Sequence, residues 1–469
     1  MIPLTLGEVA AAVHGRLVEV PDPTTRVTGT VEFDSRRVVS GGLFVALVGE
    51  RVDGHDFAGQ ALAAGAVAVL AARPVGGPAV LVADPAEALA RLATAVLDRL
   101  PDLTVVGVTG SSGKTSTKDL IAQLAERLGP TVAPPGSFNN EIGHPHTALR
   151  ADQTTRYLVL EKSARGLGHI AALCRIATPR IGVVLNVGTA HLGEFGSQAA
   201  VASAKGELVE ALPAADRGGV AVLNADDPLV RAMAGRTRAR VVTTGVAEPA
   251  DLRAVDVDLD ERGRASYTLV TGDGTARVAL GLHGAHHVPN SLAAAAVALE
   301  LGMPLPAVAA ALGAARPRSP RRMEVRDRAD GLTVINDSYN ANPESTGAAL
   351  RALTAMASGR RSWAVLGQMA ELGAESAAAH ERIGRLAARL GVGRLVAVGP
   401  EASPMHAGFV AERSDGKESV HVPDVESAIA LLGQEVRPTD VVLVKASQVA
   451  ALWRVADVLL ETGSARETV

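Results

Sequence analysis

The chain has 469 residues, 47% hydrophobic and 20% charged, which is room for about three domains with substantial cores and excludes a disordered chain. A net charge of −4 gives no basic footprint for nucleic acid, and 2% aromatics exclude a stacking platform for single strands. The lone cysteine, Cys174, excludes an internal disulfide and a cysteine-rich zinc site, and fits a reducing cytoplasm.

The start, Met1–Gly15, has no basic run leading into an apolar stretch, so no signal peptide is expected. Apolar runs such as Ala66–Ala72 are too short for membrane insertion. Residues 43–47 and 66–70 read as strands flanking a helix over 57–64. A composition break near Leu100-Pro101-Asp102 precedes short apolar runs at 104–108, 157–160, 181–187 and 220–223, with helical patterns between. Unalternating strands between helices predict a parallel sheet covered on both faces. The proline-rich basic stretch 316–320 reads as a linker. Beyond it, runs at 333–335, 363–366, 395–398 and 441–444 repeat the pattern. The expected class is α/β in three domains, 1–101, 102–316 and 317–469. Ligands of such sheets collect at the carboxyl ends of strands.

One such strand end carries Thr109-Gly110-Ser111-Ser112-Gly113-Lys114-Thr115-Ser116, followed by a helix with Leu120, Ile121, Leu124 and Leu128 on one face. Backbone N–H groups of such a loop surround phosphate oxygens, the lysine reaches the terminal phosphates and the threonine hydroxyl ligates magnesium. The common pattern has its first glycine six residues before the lysine, where this chain has Val108. Glu161 ends one strand run, His191 follows another, and Lys205 lies on a helical stretch. Glu161 and His191 are candidate magnesium ligands, although each residue also has an ordinary reading: a capping carboxylate, a loop histidine, a surface lysine. His144, His146, His283, His286 and His287 lack a zinc pattern and read as loop packing or substrate hydrogen bonding. Asp256, Asp258 and Asp260 read as the solvated face of a strand rather than a calcium loop.

Taken together, Phe33-Asp-Ser-Arg36, Asp53-Gly-His-Asp-Phe57, the 109–116 loop, Ser137-Phe-Asn-Asn-Glu-Ile-Gly143, Asn186–Gly193, Ala204-Lys-Gly-Glu207, Arg322-Met-Glu324 and Asn336–Pro343 resemble the Mur ligase family of cell-wall synthesis. Asn336–Pro343 is similar to the branch that adds D-alanyl-D-alanine, and the Asp-Asn-Pro-Arg motif of the diaminopimelate-adding branch is absent. The resemblance implies an N-terminal UDP-binding domain, a central ATPase-like parallel sheet and a C-terminal Rossmann-like domain that closes over it. It also implies a monomer using ATP and two magnesium ions to join D-alanyl-D-alanine to UDP-N-acetylmuramoyl-tripeptide.

By position, the resemblance implies that Ser35 and Arg36 contact the UDP portion, with Asn139, Asn140, Tyr339 and Asn340 also meeting substrate. It implies ATP contacts from Gly110 through Ser116, Asn290, Arg322 and Asp337, and catalysis by Lys114, Glu161, His191 and Lys205. Thr115, Glu161, His191 and a carbamylated Lys205 would hold the metal; an ammonium cannot ligate a cation, whereas a carbamate can. Five positions depart from the family pattern: Lys162 and Ser163 after Glu161, Gln368, Gln448 and Trp453. If Glu161 faces the metal, strand alternation turns Lys162 to the other face, where it needs a polar partner. Three other readings are a sister ligase with a different amino acid, a nucleotide-binding regulatory protein without catalysis, and a P-loop kinase, in which the Ser35-Arg36 block has no role.

Overall fold

The computed structural model describes residues 1–49, 51–188, 195–413 and 415–461, so His191 lies outside the described residues. Three sheets organise the chain. The first has five strands in the order Arg16–Val18, Ala79–Leu81, Ala68–Ala71, Leu43–Val45, Val31–Glu32, parallel except at Arg16–Val18. Helices Leu6–Val13 and Pro85–Leu97 present Leu6, Val9, Leu89, Leu92 and Val96 to it, and this core runs on into Val105, Leu158 and Leu160 of the next sheet.

The second sheet has nine strands, in the order Gly274–His283, Arg264–Thr271, Leu252–Leu259, Arg240–Gly245, Val220–Asn224, Ile181–Val184, Thr104–Thr109, Tyr157–Glu161, Thr131–Val132. Its middle strands are parallel, and Tyr157–Glu161 and Ile181–Val184 are buried throughout, which is why they read as plain apolar runs. Helices Lys114–Ala125 and His287–Glu300 pack on one face, and Gln198–Glu210 covers the other. At the other edge, Arg264–Thr271 pairs antiparallel with both Leu252–Leu259 and Gly274–His283, an addition that the sequence reading did not anticipate. The aspartate stretch differs too: Asp256 has φ +54 within a register shift between Val255 and Asp258, so the strand bulges there and Asp256 to Leu259 are all exposed. Asp260 accepts from the N–H of Arg262 and of Arg264 and closes the hairpin.

The third sheet has six strands, in the order Glu324–Asp327, Thr333–Asn336, Val441–Lys445, Ser362–Leu366, Arg394–Val398, Glu418–Val422, parallel except at the first. Leu350, Ile383 and Phe409 cover one face; Leu432, Val455 and Leu459 cover the other. No helix among the described residues is long and apolar enough to cross a membrane. Register sets the site. Glu161 pairs with Val108 and Val184 with Thr109, so the carboxyl ends of three neighbouring strands open beside the glycine loop.

Candidate active site

Strand Thr104–Thr109 hands the chain to helix Lys114–Ala125 through a tight loop. Gly113 caps that helix at φ +81, and a Cβ there would stand 2.6 Å from Asn290 Oδ1, so only glycine fits. The Lys114 ammonium folds back to donate to Gly110 O at 2.6 Å. Asn186 Oδ1 accepts from the N–H groups of Ser111 (3.0 Å) and Ser112 (2.9 Å), which fixes the loop's shape. The Thr115 hydroxyl meets Ser137 Oγ at 2.8 Å. A helix N-terminus with a lysine and a hydroxyl beside it is an anion site with a place for a cation.

Glu161 is fully buried at its strand end. One carboxylate oxygen accepts from Asn139 Nδ2 at 3.2 Å, and the other has no hydrogen-bond partner among the described residues. A buried carboxylate oxygen left without a donor fits a cation ligand. Burial pushes the Lys114 ammonium down to about 8, opposed by Glu161, assisted by Arg322 and opposed again by Glu371. Lys205, 4% exposed on helix Gln198–Glu210, is pushed well below the ordinary lysine value, first by burial and then by Lys114. Lys162 does turn to the opposite face, where its ammonium meets His144 Nε2, Leu173 O and Ala177 O at 2.9, 3.0 and 3.1 Å.

The third sheet closes the other side of a cavity of about 540 Å³. Arg322 lies 4.2 Å from the Tyr339 ring centroid and donates to Ser137 Oγ at 2.5 Å, linking this side to Thr115. Lys445, at the end of strand Val441–Lys445, donates to Asp337 at 2.6 Å and to Asn340 O at 2.8 Å. Glu344, Glu371 and Gln448 also line the cavity.

The cavity therefore gathers Ser111 through Ser116, Asn139, Glu161, Asn290, Arg322, Asp337, Tyr339 and Asn340. Gly110 joins them through the Lys114 bond, whereas Lys205 does not line the cavity, although the Lys114 charge reaches it. Three expected substrate residues stand elsewhere. Ser35 Oγ bonds Gln60, Arg36 pairs with Asp34 at 2.8 Å, and Asn140 accepts from Gly143 N at 2.9 Å. The histidines pack: His144 on Lys162, His146 on Glu32 (3.2 Å), His283 on Arg262 O (2.8 Å), and His286 against His287 with ring centroids 4.3 Å apart. Among the described residues no three His, Cys, Asp or Glu cluster as a metal site. Sequence reasoning missed Ser137, Asn186, Glu344, Glu371 and Lys445 as site residues. The first two lay inside stretches already singled out, and Lys445 ends a strand run, the position where ligands gather.

Comparison with known proteins agrees with this geometry. Residues 108–298 match the Mur ligase middle domain, 321–448 the Mur ligase glutamate ligase domain, and 29–96 the Mur ligase family catalytic domain. The UDP-N-acetylmuramoyl-tripeptide–D-alanyl-D-alanine ligase of Mycobacterium tuberculosis is 52% identical, covering 98% of each chain. The crystal structure of MurF from Acinetobacter baumannii superposes with a TM-score of 0.86 at 30% identity, covering 98% of this chain and 99% of that one. MurF from Thermotoga maritima in complex with ADP gives 0.80 at 32% identity, covering 94% of this chain and 99% of that one. The chain belongs to the Mur ligase family.

Proposed function

We propose that this protein is the ATP-dependent ligase that joins D-alanyl-D-alanine to UDP-N-acetylmuramoyl-tripeptide in peptidoglycan precursor synthesis. The observation that carries the reading is the convergence of Lys114, Thr115 and Glu161 with Arg322, Asp337 and Tyr339 in one cavity, in a chain so similar to ligases of that name. The tripeptide carboxylate attacks the γ-phosphate of ATP, ADP leaves, and the acyl phosphate is then open to the dipeptide amine. Lys114 neutralises charge on the transferring group, and the loop N–H groups hold the other phosphates. Arg322, reaching from the third sheet to Ser137, draws the two sides together and excludes water from the acyl phosphate.

We assign residues 1–101 to the UDP-linked substrate, 102–316 to ATP and 317–469 to closure, with Ser35, Arg36, Asn139, Asn140, Tyr339 and Asn340 toward substrate and Asn290 toward the nucleotide. Thr115, Glu161, His191 and Lys205 as its carbamate would hold magnesium, which when bound supplies positive charge to the transferring phosphate. Two observations support the set: a Glu161 oxygen without a hydrogen-bond partner among the described residues, and a Lys205 amine that burial favours in the neutral form carbamylation requires. We further assign the protein to the cytoplasm as a monomer. Lys205→Ala is expected to lower turnover by roughly a thousandfold or more, and labelled bicarbonate should give a carbamate carbon signal in wild type alone. Undiminished turnover contradicts the carbamate. Phosphate release is expected only when both co-substrates are present; release with ATP alone, or equal use of diaminopimelate, contradicts the ligase assignment.

A further inference from the structure

We infer that Arg165 receives a carboxylate of the UDP-linked peptide other than the one that is activated, and so helps to set which peptides the site takes; this rests on the ligase reading above. Among the described residues, four lysine and arginine side chains line the cavity: Lys114, Arg165, Arg322 and Lys445. Three of them are held by the protein itself. Lys114 bonds Gly110 O, Arg322 bonds Ser137 and lies over the Tyr339 ring, and Lys445 bonds Asp337 and Asn340 O. Arg165 is exposed in the lining, and its guanidinium makes no hydrogen bond or ion pair with a described residue. Only its backbone N–H is engaged, by His169 Nδ1 at 3.4 Å.

The backbone that carries Arg165 is fixed. Ser163 N and Ser163 Oγ both donate to Asn139 O, at 3.2 and 3.0 Å, and Ala164 is buried in the core that Ile170 and Val201 share. Gly168, at φ +85, then opens helix His169–Ile176. The Glu207 carboxylate takes the N–H groups of Gly168 (2.5 Å) and Ala171 (2.9 Å) at that helix end. With those groups engaged, the guanidinium is the donor that this turn offers an anion. Its place decides which anion. Asn139 donates to Glu161 and accepts from Ser163, so Arg165 shares a wall with Glu161. Asn139 belongs to the stretch that runs on to His146, which meets Glu32 at 3.2 Å and packs against Phe33 with ring centroids 4.9 Å apart. Glu32 ends its strand three residues before Ser35, in the domain assigned to the UDP-linked substrate. Lys445 and Asp337, by contrast, come from the third sheet. The wall that bears Arg165 is therefore the one joined to the substrate domain. A peptide that brings a second carboxylate into a cavity lined by Glu161, Asp337, Glu344 and Glu371 meets like charges. A planar guanidinium that can take both oxygens of that carboxylate offsets them.

The test follows each substrate in turn. For R165Q, the KM for UDP-N-acetylmuramoyl-tripeptide is expected to rise roughly tenfold or more, with the KM for ATP and for dipeptide within about twofold of wild type. Tm should not change, because the side chain holds no bond in the fold. R165K, which keeps the charge without the fork, should recover part of the affinity. UDP alone, as a competitive inhibitor, should bind both proteins equally, which sets the peptide apart from the diphosphate. Tripeptides ending in diaminopimelate and in lysine locate the carboxylate. A defect with the diaminopimelate substrate alone places it on the third residue, and an equal defect with both places it on an earlier one. The inference is overturned if R165Q leaves the KM for both tripeptides unchanged, or if it raises the KM for ATP or weakens UDP to the same extent. Wild-type protein that forms no amide from either tripeptide contradicts the ligase reading itself, and this inference with it.

Discussion

Lys162 shows what a buried ammonium requires. It is fully buried, and burial pushes it down to about 8, partly offset by Cys174. Its hydrogens are answered by two carbonyls at the end of helix His169–Ile176 and by His144, which burial, and then the Lys162 charge, hold well below the usual histidine value, leaving it a neutral acceptor. Gly107 makes room for the stem, since a Cβ there would stand 3.0 Å from Lys162 Cε. Removing the ammonium alone leaves His144 Nε2 and Ala177 O without that donor, while Leu173 O keeps the Ala177 N–H at 3.2 Å. K162M is expected to lower stability by about 2 to 4 kcal/mol, and the double variant K162M/H144L to recover a substantial part of it. Urea titration of both variants checks this; additive losses contradict the pairing. Strand alternation made the direction of Lys162 legible beside Glu161. Its partner was not legible, because His144 is 18 residues away and only the fold brings it near.

At the scale of elements, the basic stretch after residue 315 is a fastened strap more than a free linker. Gln123 exchanges two bonds of 3.0 Å with the backbone of Arg316, Asp119 accepts the Ser319 N–H at 3.1 Å, and Arg318 grips Glu126 with both arms. All three anchors stand on or just beyond the helix that the phosphate loop opens. The chain then turns through Arg321 and Met323, at φ +60 and +50, and presents Arg322 to Ser137. R322A is expected to raise the KM for ATP about tenfold with little change in Tm, while Y339F, which keeps the ring under the guanidinium, stays near wild type. Equal effects of the two variants contradict the stacking role. The glycine loop was legible because strand, loop and helix are contiguous. The antiparallel edge was not, because a bulge at Asp256 breaks the alternation that signals a half-buried strand.

At the scale of the molecule, buried imidazoles tie stability to pH. Burial holds His287 well below its ordinary 6.5, with His286 and then His283 adding to the effect, and His144 is held down likewise. The unfolded chain takes up these protons near 6.5 and the folded chain does not, so their contribution is complete above that value and is lost as pH falls below it. The urea midpoint is expected to fall between about pH 7 and about pH 5, and to fall less in H287N. An identical pH response in H287N contradicts this account.

The central claim is that Lys114 and the residues around it bring the outermost phosphate of ATP against a carboxylate and join the two before the amine arrives. Its most direct test is a turnover with the tripeptide carboxylate carrying heavy oxygen, followed by mass analysis of the released phosphate. The account predicts that each phosphate carries one heavy oxygen taken from the carboxylate. Phosphate free of label, with amide still formed, contradicts it.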